Sequence, residues 1–273
     1  MSEKCDICFR GCTLEEGRNG YCKVRTIKDG KNVSRSYGLI SSAALDPIEK
    51  KPLALFEPGS YILSVGSYGC NLSCPFCQNH EISQNDLYSS CERVSAQELV
   101  RQALRLKAYD NIGIAFTYNE PLINYEFIRD TFELCKEHDL KTVLITSGAV
   151  NDCVLDEVLP LTDAWNIDLK SFTEKGYKDL KGDLESVKNC IVRASRVSHV
   201  EITTLVVPGR NDSAKEMEEE AKWIASINPD IPLHITRYFP RWKEKEEPTD
   251  IDKLKELEEI AKKYLNHVFL GNI

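Results

Sequence analysis

The sequence has no apolar run long enough to cross a membrane and no block of basic residues. A membrane-spanning helix needs about 20 mostly apolar residues in a row, and none of the 273 residues belong to such a run. The N-terminus, Met1 to Cys5, lacks the apolar core of a signal peptide. The net charge of −8, from 35 basic and 43 acidic residues, gives no reason to expect nucleic-acid binding. These absences predict a cytoplasmic protein without membrane or nucleic-acid partners.

Cysteine, in contrast, is abundant. The chain contains 11 cysteines, and in a reducing compartment such a number argues for metal ligation rather than for disulfides. Seven of them fall into two clusters in the sequence. We expect the other four to be small buried apolar side chains; they are Cys91, Cys135, Cys153 and Cys190.

The second cysteine cluster lies in Gly69 to Gln78, which reads GCNLSCPFCQ. Cys70, Cys74 and Cys77 have the spacing CxxxCxxC and follow the apolar run 61–65. An iron–sulfur cubane normally takes one thiolate per iron, so three thiolates leave one iron open. An open iron can bind a cofactor through amino and carboxylate groups. The alternative is a structural zinc loop with a fourth ligand from elsewhere, although zinc sites usually pair CxxC knuckles.

This spacing, with Phe76 directly before the third cysteine, resembles the signature of the radical S-adenosylmethionine (SAM) enzymes. The form GCNLSCPFCQN is similar to the branch that contains pyruvate formate-lyase activating enzyme. The resemblance implies a [4Fe-4S] cluster on Cys70, Cys74 and Cys77, with SAM as the second cofactor.

The first cysteine cluster comprises Cys5, Cys8, Cys12 and Cys22. A segment this short needs a metal to stabilise it. Four thiolates suit tetrahedral zinc and a second, fully ligated iron–sulfur cluster about equally well. A pair of redox thiols is a further alternative. Combined with the GCNLSCPFCQN segment, this knuckle resembles the radical SAM group named for its association with the AMMECR and Memo families.

From residue 61 onward, apolar strand patterns alternate with amphipathic helix patterns, which predicts a parallel sheet covered by helices. The family resemblance implies a partial (β/α)6 barrel over residues 61–273, preceded by a cysteine-rich, turn-rich segment over residues 1–60. Capping boxes at Ser95 and Ser213 predict two helix starts. The charged stretch 241–248 is expected to be a solvated loop. Strands are predicted at 61–65, 112–117, 142–146, 164–169, 200–207, 233–238 and 268–270. A helix is predicted at 125–137.

In βα barrels, functional groups lie on the loops that follow the strands. Tyr118-Asn119-Glu120-Pro121 stands where the activating enzymes have GGEP, whose backbone receives the amino group of SAM. Tyr118 and Asn119 replace two glycines, which departs from the activating enzymes and puts their peptide-substrate groove in doubt. Asp168 and Lys170 match the DxK motif of that family; an ordinary ion pair at the barrel rim is the alternative. The predicted SAM-binding residues are Phe76, Gln78, Asn119, Glu120, Thr146, Asp168, Lys170, Thr203, His234 and Arg237.

The resemblance also implies a mechanism. Reduction of the cluster by one electron cleaves SAM to methionine and a 5′-deoxyadenosyl radical, which abstracts a hydrogen atom. The leading hypothesis is activation of a protein partner by abstraction from a glycine, with a flavodoxin- or ferredoxin-type reductant. Alternatives are modification of a small molecule or of a different protein, and a non-catalytic metal-binding scaffold.

Overall fold

The computed structural model describes residues 2–273. Its strands are β1 (Ser2–Lys4), β2 (Thr13–Glu15), β3 (Arg25–Lys28), β4 (Lys31–Ser34), β5 (Leu39–Ile40), β6 (Ser42–Pro47), β7 (Tyr61–Gly66), β8 (Glu92–Arg93), β9 (Asn111–Phe116), β10 (Lys141–Thr146), β11 (Ala164–Asp168), β12 (His199–Val206), β13 (Leu233–Arg237) and β14 (Val268–Gly271). Its α-helices are α1 (His80–Ser83), α2 (Ala96–Leu106), α3 (Tyr125–Glu137), α4 (Asp152–Val158), α5 (Glu174–Asp179), α6 (Leu184–Ala194), α7 (Ala214–Ile227) and α8 (Ile251–Ala261). None of the helices in residues 2–273 is both long and apolar enough to span a bilayer.

One large sheet organises the molecule. Its strand order is β14-β13-β12-β11-β10-β9-β7-β6, and all neighbours from β7 to β14 are parallel. Strand β6 pairs antiparallel with β7 at one edge. The helices between the parallel strands cover the sheet, as crossover connections require. The predicted α/β fold with a parallel sheet is therefore confirmed.

Alternate residues of each strand face opposite sides of the sheet, one side towards the helices and the other towards the interior of the barrel. Ile114 and Phe116 of β9 belong to the large core under the helices, whereas Ala115 belongs to a second core. That second core also contains Ile48 and Leu53. Residues 48–56, which we call the floor segment, therefore close the end of the barrel at which the parallel strands begin.

The N-terminal residues form small antiparallel pairs, β1 with β2 and β3 with β4. Strand β5 pairs with β8, which lies beyond the cysteine loop. Strand β6 belongs to the large sheet, so that sheet includes residues on both sides of the predicted division at residue 60.

Two helix starts test the capping predictions. Ser95 accepts a hydrogen bond from the Glu98 amide, and the Glu98 carboxylate accepts one from the Ser95 amide, so this capping box is confirmed. Ser213 accepts from the Glu216 amide, but the Glu216 carboxylate accepts from Ser171 and Phe172 instead of reaching back. The second box is half formed because a buried tertiary contact holds its glutamate.

Candidate functional site

The loop after β7 carries the three predicted cluster ligands. Cys74 is buried, and Cys70 and Cys77 are partly buried. The three sulfurs are close enough to interact electrostatically with one another. The Leu72 amide donates to Cys70 Sγ at 3.3 Å. Burial raises the pKa of the Cys70 thiol, and it raises that of Cys74 to about 11.

This donor set suits an iron–sulfur cluster. Its thiols are soft, partly withdrawn from water and grouped on one loop, and an amide N–H already points at a sulfur. Within residues 2–273, no three His, Cys, Asp or Glu side chains converge closely enough to share one metal ion. A cubane imposes a different geometry, because each thiolate binds its own iron.

Asn119 braces the backbone that leads into the cysteine loop. Its side-chain amide donates to the carbonyls of Tyr68 and Gly69 at 3.1 and 3.0 Å. Its Oδ1 accepts from the Ser67 amide at 3.0 Å. Asn119, which the sequence predicts to bind SAM, thus has its side chain committed to the loop itself.

Glu120 joins the loops after β9 and β10. Its buried carboxylate accepts from the Thr146 hydroxyl at 2.6 Å, the Ser147 hydroxyl at 2.6 Å and amide at 2.9 Å, and the Leu122 amide at 3.0 Å. The carboxylate is therefore fully occupied by protein donors. Thr146, another predicted SAM residue, is committed to the same contact.

Lys170 and Asp168 stand at the end of β11, beside the cysteine loop. Lys170 Nζ lies 2.9 Å from Asp168 Oδ2, and both charges act on the Cys74 thiol. Burial disfavours the charged amine, but the negative charges of Asp168 and Cys74 outweigh it, so the pKa of Lys170 is raised. A cation held next to thiolates stabilises their negative charge.

A cavity of about 120 Å³ lies between the cysteine loop and the loops after β11 and β12. Phe76 and Lys170 line it, as does the segment Gly209-Arg210-Asn211. Asn211 fixes this segment because its side chain donates to the carbonyls of Lys170 and Leu205. The sequence pattern located Phe76 and Lys170, but it gave no signal that assigns the segment 209–211 to the site.

The stretch 241–248 is an irregular, mostly exposed loop, as predicted, but it also makes specific contacts with the rest of the site. The amides of Lys243 and Glu244 donate to the Pro75 carbonyl at 3.0 and 3.1 Å. The Trp242 ring stacks on His80, with ring centroids 5.5 Å apart. Glu244 also bonds Arg210 at 2.5 Å. The loop therefore ties the cysteine loop to the rim of the cavity, and its high charge concealed these contacts in the sequence.

The remaining predicted SAM residues lie in different surroundings. Gln78 is exposed. The Thr203 hydroxyl bonds the Asn166 side chain. His234 Nε2 lies 2.6 Å from a carboxylate oxygen of Glu201, and Arg237 Nε donates to the Thr249 carbonyl at 2.8 Å. Phe76, Asp168 and Lys170 are thus the predicted residues that lie at the cysteine loop, are at least partly buried and have no wholly structural role.

The N-terminal cysteines pack against the same loop. Cys5, Cys8 and Cys22 are buried and interact electrostatically. The Cys5 amide donates to the Cys12 carbonyl at 2.8 Å. The four residues therefore share one small unit, and their ligation of a metal stays a prediction.

Comparisons with known proteins agree with this geometry. A family model described as the radical SAM superfamily matches residues 64–224. An uncharacterised protein of Methanocaldococcus jannaschii is 35% identical over 99% of this chain and 81% of its own length. The pyruvate formate-lyase-activating enzyme of Clostridium pasteurianum is 28% identical over 71% of this chain and 82% of its own length.

Solved structures show the same fold. A domain of a pyruvate-formate lyase-activating enzyme from Bacteroides vulgatus superposes with a TM-score of 0.52 at 21% identity, covering 59% of this chain and 99% of that domain. A radical SAM methyltransferase from Sphaerobacter thermophilus gives a TM-score of 0.61 at 16% identity, over 79% of this chain and 67% of its own.

Proposed function

Because the chain belongs to the radical SAM superfamily, we propose that it cleaves SAM reductively, using a [4Fe-4S] cluster held by Cys70, Cys74 and Cys77. The cluster, when bound and reduced, supplies the electron that splits SAM into methionine and a 5′-deoxyadenosyl radical. The observation that carries the proposal is the grouping of three cysteines on one loop, with Phe76 of that loop and the nearby Lys170 lining the cavity beside it.

The chain's own residues have separate tasks in this proposal. Lys170 has three N–H donors and gives one to Asp168, so it can also donate to the carboxylate of SAM. Asp168 accepts from the ammonium group of SAM, and Phe76 offers an apolar face to adenine. The loop 241–244 covers the cysteine loop and limits the access of water to the radical.

Anaerobic reconstitution tests the proposal. We expect the wild-type protein to bind about four irons in an oxygen-sensitive cluster and to convert SAM to 5′-deoxyadenosine when reduced. A variant with Cys70, Cys74 and Cys77 all replaced by alanine should do neither. Reductive cleavage by this variant would show that the cluster lies elsewhere. Cleavage by neither protein would favour the non-catalytic scaffold.

The finer proposal is that the radical activates a protein partner by taking hydrogen from a glycine. Relatives named as pyruvate formate-lyase-activating enzymes support it, as does a Methanocaldococcus jannaschii protein named as a putative glycyl-radical enzyme activating enzyme. A flavodoxin- or ferredoxin-type protein would supply the electron. The eleven free cysteines support a reducing, cytoplasmic setting.

Electron paramagnetic resonance distinguishes the activation of a partner at a glycine from the modification of other substrates. Incubation of the reduced protein with SAM and a candidate partner should give a glycyl-radical signal on the partner. Modification of a small molecule or of another protein is the second candidate, and Tyr118 favours it, because this side chain stands where the activating enzymes have glycine. Continued SAM cleavage without a glycyl radical on any partner encoded nearby would support the second candidate.

A further inference from the structure

Arg10 lies at the surface next to both groups of cysteines. It stands between Cys8 and Cys12 in the sequence and is partly exposed. Its Nε donates to the carbonyl of Asn71, the residue that follows Cys70, at 2.7 Å. A molecule that touches the Arg10 side chain from outside is therefore close to the N-terminal cysteine unit and to the predicted cluster ligands at once.

A second contact fixes the exposed Lys181 at the same place. Arg10 Nη2 donates to the Lys181 carbonyl. The preceding residue, Leu180, accepts a hydrogen bond through its carbonyl from the Ser73 amide at 2.9 Å, and Ser73 belongs to the cysteine loop. Lys181 thus stands on backbone that is bonded directly to that loop, while its own side chain is exposed.

The positive charges at this surface have no acidic partner. Lys4 is exposed, and it passes so close to Gly11 that a Cβ there would lie 2.6 Å from Lys4 Cε. Within residues 2–273, no carboxylate forms an ion pair with Lys4, Arg10 or Lys181. The two carbonyls that accept from Arg10 are neutral, so they leave its charge uncompensated. This local positive charge stands out on a chain whose net charge is −8.

Tyr21 adds an aromatic ring to the same surface. The guanidinium carbon of Arg10 lies 3.5 Å from the centre of the Tyr21 ring, and 43% of this tyrosine is exposed. Stacking on the cation holds the ring in place. Exposed tyrosine and arginine side chains are typical of protein interfaces. We call the surface formed by Lys4, Arg10, Tyr21 and Lys181 the Arg10 surface.

We propose that the Arg10 surface is the docking site of the electron donor, and that this donor is an acidic protein of the flavodoxin type. The inference rests on the proposed function, which requires one electron for each SAM that is cleaved. The positive charges attract an acidic protein and orient it as it associates. The exposed ring of Tyr21 packs against the apolar edge of the flavin. One electron then leaves the reduced flavin, which is oxidised by one electron, and the cluster is reduced by one electron. No atom is transferred.

Calorimetric titration with a purified acidic flavodoxin tests the docking site. The protein is reconstituted, and the titration is made at low and at moderate salt. We expect Arg10→Gln to lower the affinity about tenfold, because arginines are among the side chains that dominate interface energies, and we expect salt to weaken wild-type binding. Arg105→Gln, which removes an exposed arginine of α2, should leave the affinity unchanged.

The rate of cluster reduction, followed by stopped-flow absorbance, is the second measurement. The double variant Lys4→Glu with Lys181→Glu reverses two exposed charges and keeps the hydrogen bond from Arg10 to Asn71. Reduced flavodoxin should reduce this variant at least about tenfold more slowly than the wild type, because electrostatic steering is lost. Dithionite, which needs no docking surface, should reduce both proteins at similar rates. The double variant also decides the matter if Arg10→Gln loses iron or does not fold.

Four results would each overturn the inference. They are no binding of the flavodoxin to the wild type, unchanged affinity and rate in the double variant, equal effects of Arg10→Gln and Arg105→Gln, and faster reduction by an acidic ferredoxin than by the flavodoxin. Failure of the proposed function would be recognised separately, because wild-type protein would then bind no iron or would not cleave SAM even with dithionite. The calorimetric result would still test the docking site, since the Arg10 surface consists of protein groups alone.

Discussion

Glu220 and Glu201 are both buried carboxylates, and their surroundings shift their pKa values in opposite directions. Burial raises the pKa of Glu220 to about 8, and the nearby charge of Glu216 adds to the increase. The Thr204 hydroxyl donates a hydrogen bond to Glu220 and opposes this shift, but its effect is smaller than that of burial. Glu201 accepts from two histidines and two amides, and these donors outweigh burial and lower its pKa to about 2. The number of donors thus decides which protonation state is stable in the interior.

Glu220→Gln should make the protein relatively more stable in alkali. Between pH 4.5 and 8 folded wild-type protein holds a proton that the unfolded chain has released, so stability falls as pH rises through this window. The amide cannot ionise and avoids this loss, which is on the order of a few kcal/mol. Urea unfolding at pH 5 and pH 9 measures the free energy of unfolding of both proteins. The value for Glu220→Gln minus that for the wild type should be larger at pH 9 than at pH 5. Glu219→Gln, which changes an exposed neighbouring residue, should show the same difference at both pH values.

Asp168→Ala and Lys170→Ala should each weaken SAM binding while leaving the iron content unchanged, because neither residue is a predicted cluster ligand. The loss of a partly buried charge-assisted contact should lower affinity roughly thirty- to a hundredfold, or by about 2 to 3 kcal/mol. Equilibrium dialysis with SAM measures the effect. Lys178→Ala, at an exposed ion pair with Glu174, is the matched control. Unchanged affinity in both variants would reduce Asp168 and Lys170 to an ordinary rim pair.

At the scale of elements, the floor segment depends on Glu201. The carboxylate accepts from the amides of Ala54 and Leu55 at 2.9 and 2.8 Å, and it also bonds His199 and His234. One side chain of β12 therefore holds the segment that closes the barrel. Glu201 is fully buried, so solvent does not weaken these hydrogen bonds.

Glu201→Gln should lower stability near neutral pH and flatten its dependence on acid. Because the folded-state pKa lies below the ordinary 4.5, the contribution is complete above pH 4.5 and is lost as pH falls towards 2. Its size is on the order of 3 kcal/mol. Denaturant unfolding between pH 7 and 3 should show that the free energies of unfolding of Glu201→Gln and the wild type become more similar as the pH falls. Glu49→Gln, at an exposed residue, should keep the wild-type dependence of this free energy on pH. A constant difference between Glu201→Gln and the wild type over this pH range would contradict the prediction.

Sequence patterns predicted the elements better than their side-chain contacts. The predicted helix 125–137 has the same bounds in the structure, because its apolar spacing records which face is buried. Glu216 matched a capping box but instead bonds Ser171, which is distant in sequence. The stretch 241–248 is exposed as predicted, but its contacts with Pro75 could not be predicted, because they leave no local pattern in the sequence. Tertiary partners, and not local propensity, decide both cases.

At the scale of the whole molecule, the N-terminal cysteine unit packs directly on the cysteine loop. Gly69 has a φ of +85°, and a Cβ there would lie 2.4 Å from the Cys22 carbonyl oxygen. Arg10 Nε donates to the Asn71 carbonyl at 2.7 Å. The two cysteine clusters, separate in sequence, thus form one region. Spacing alone identified each cluster, but it could not show that they touch, because long-range packing is absent from local spacing.

Replacement of Cys5, Cys8, Cys12 and Cys22 by serine should lower stability, yet protein that stays folded and is reduced chemically should still produce 5′-deoxyadenosine. Four thiolates fill a metal's coordination, so no position for SAM would remain there. Metal analysis of the variant lacking Cys70, Cys74 and Cys77 should find about one zinc or about four irons per chain at the N-terminal site. Neither metal in anaerobically prepared protein would restore the interpretation as redox thiols.

The hydrogen bonds of Asn119 and Glu120 also affect how the cluster is assembled. Their hydrogen bonds hold residues 67–69 and join the loops after β9 and β10 within the polypeptide itself. The conformational entropy of this backbone, which leads into the cysteine loop, is therefore lost when the chain folds, not when iron and sulfide arrive. The site is in this respect preorganised for the cluster. The rate of cluster insertion should therefore depend on the supply of iron and sulfide more than on any rearrangement of the protein.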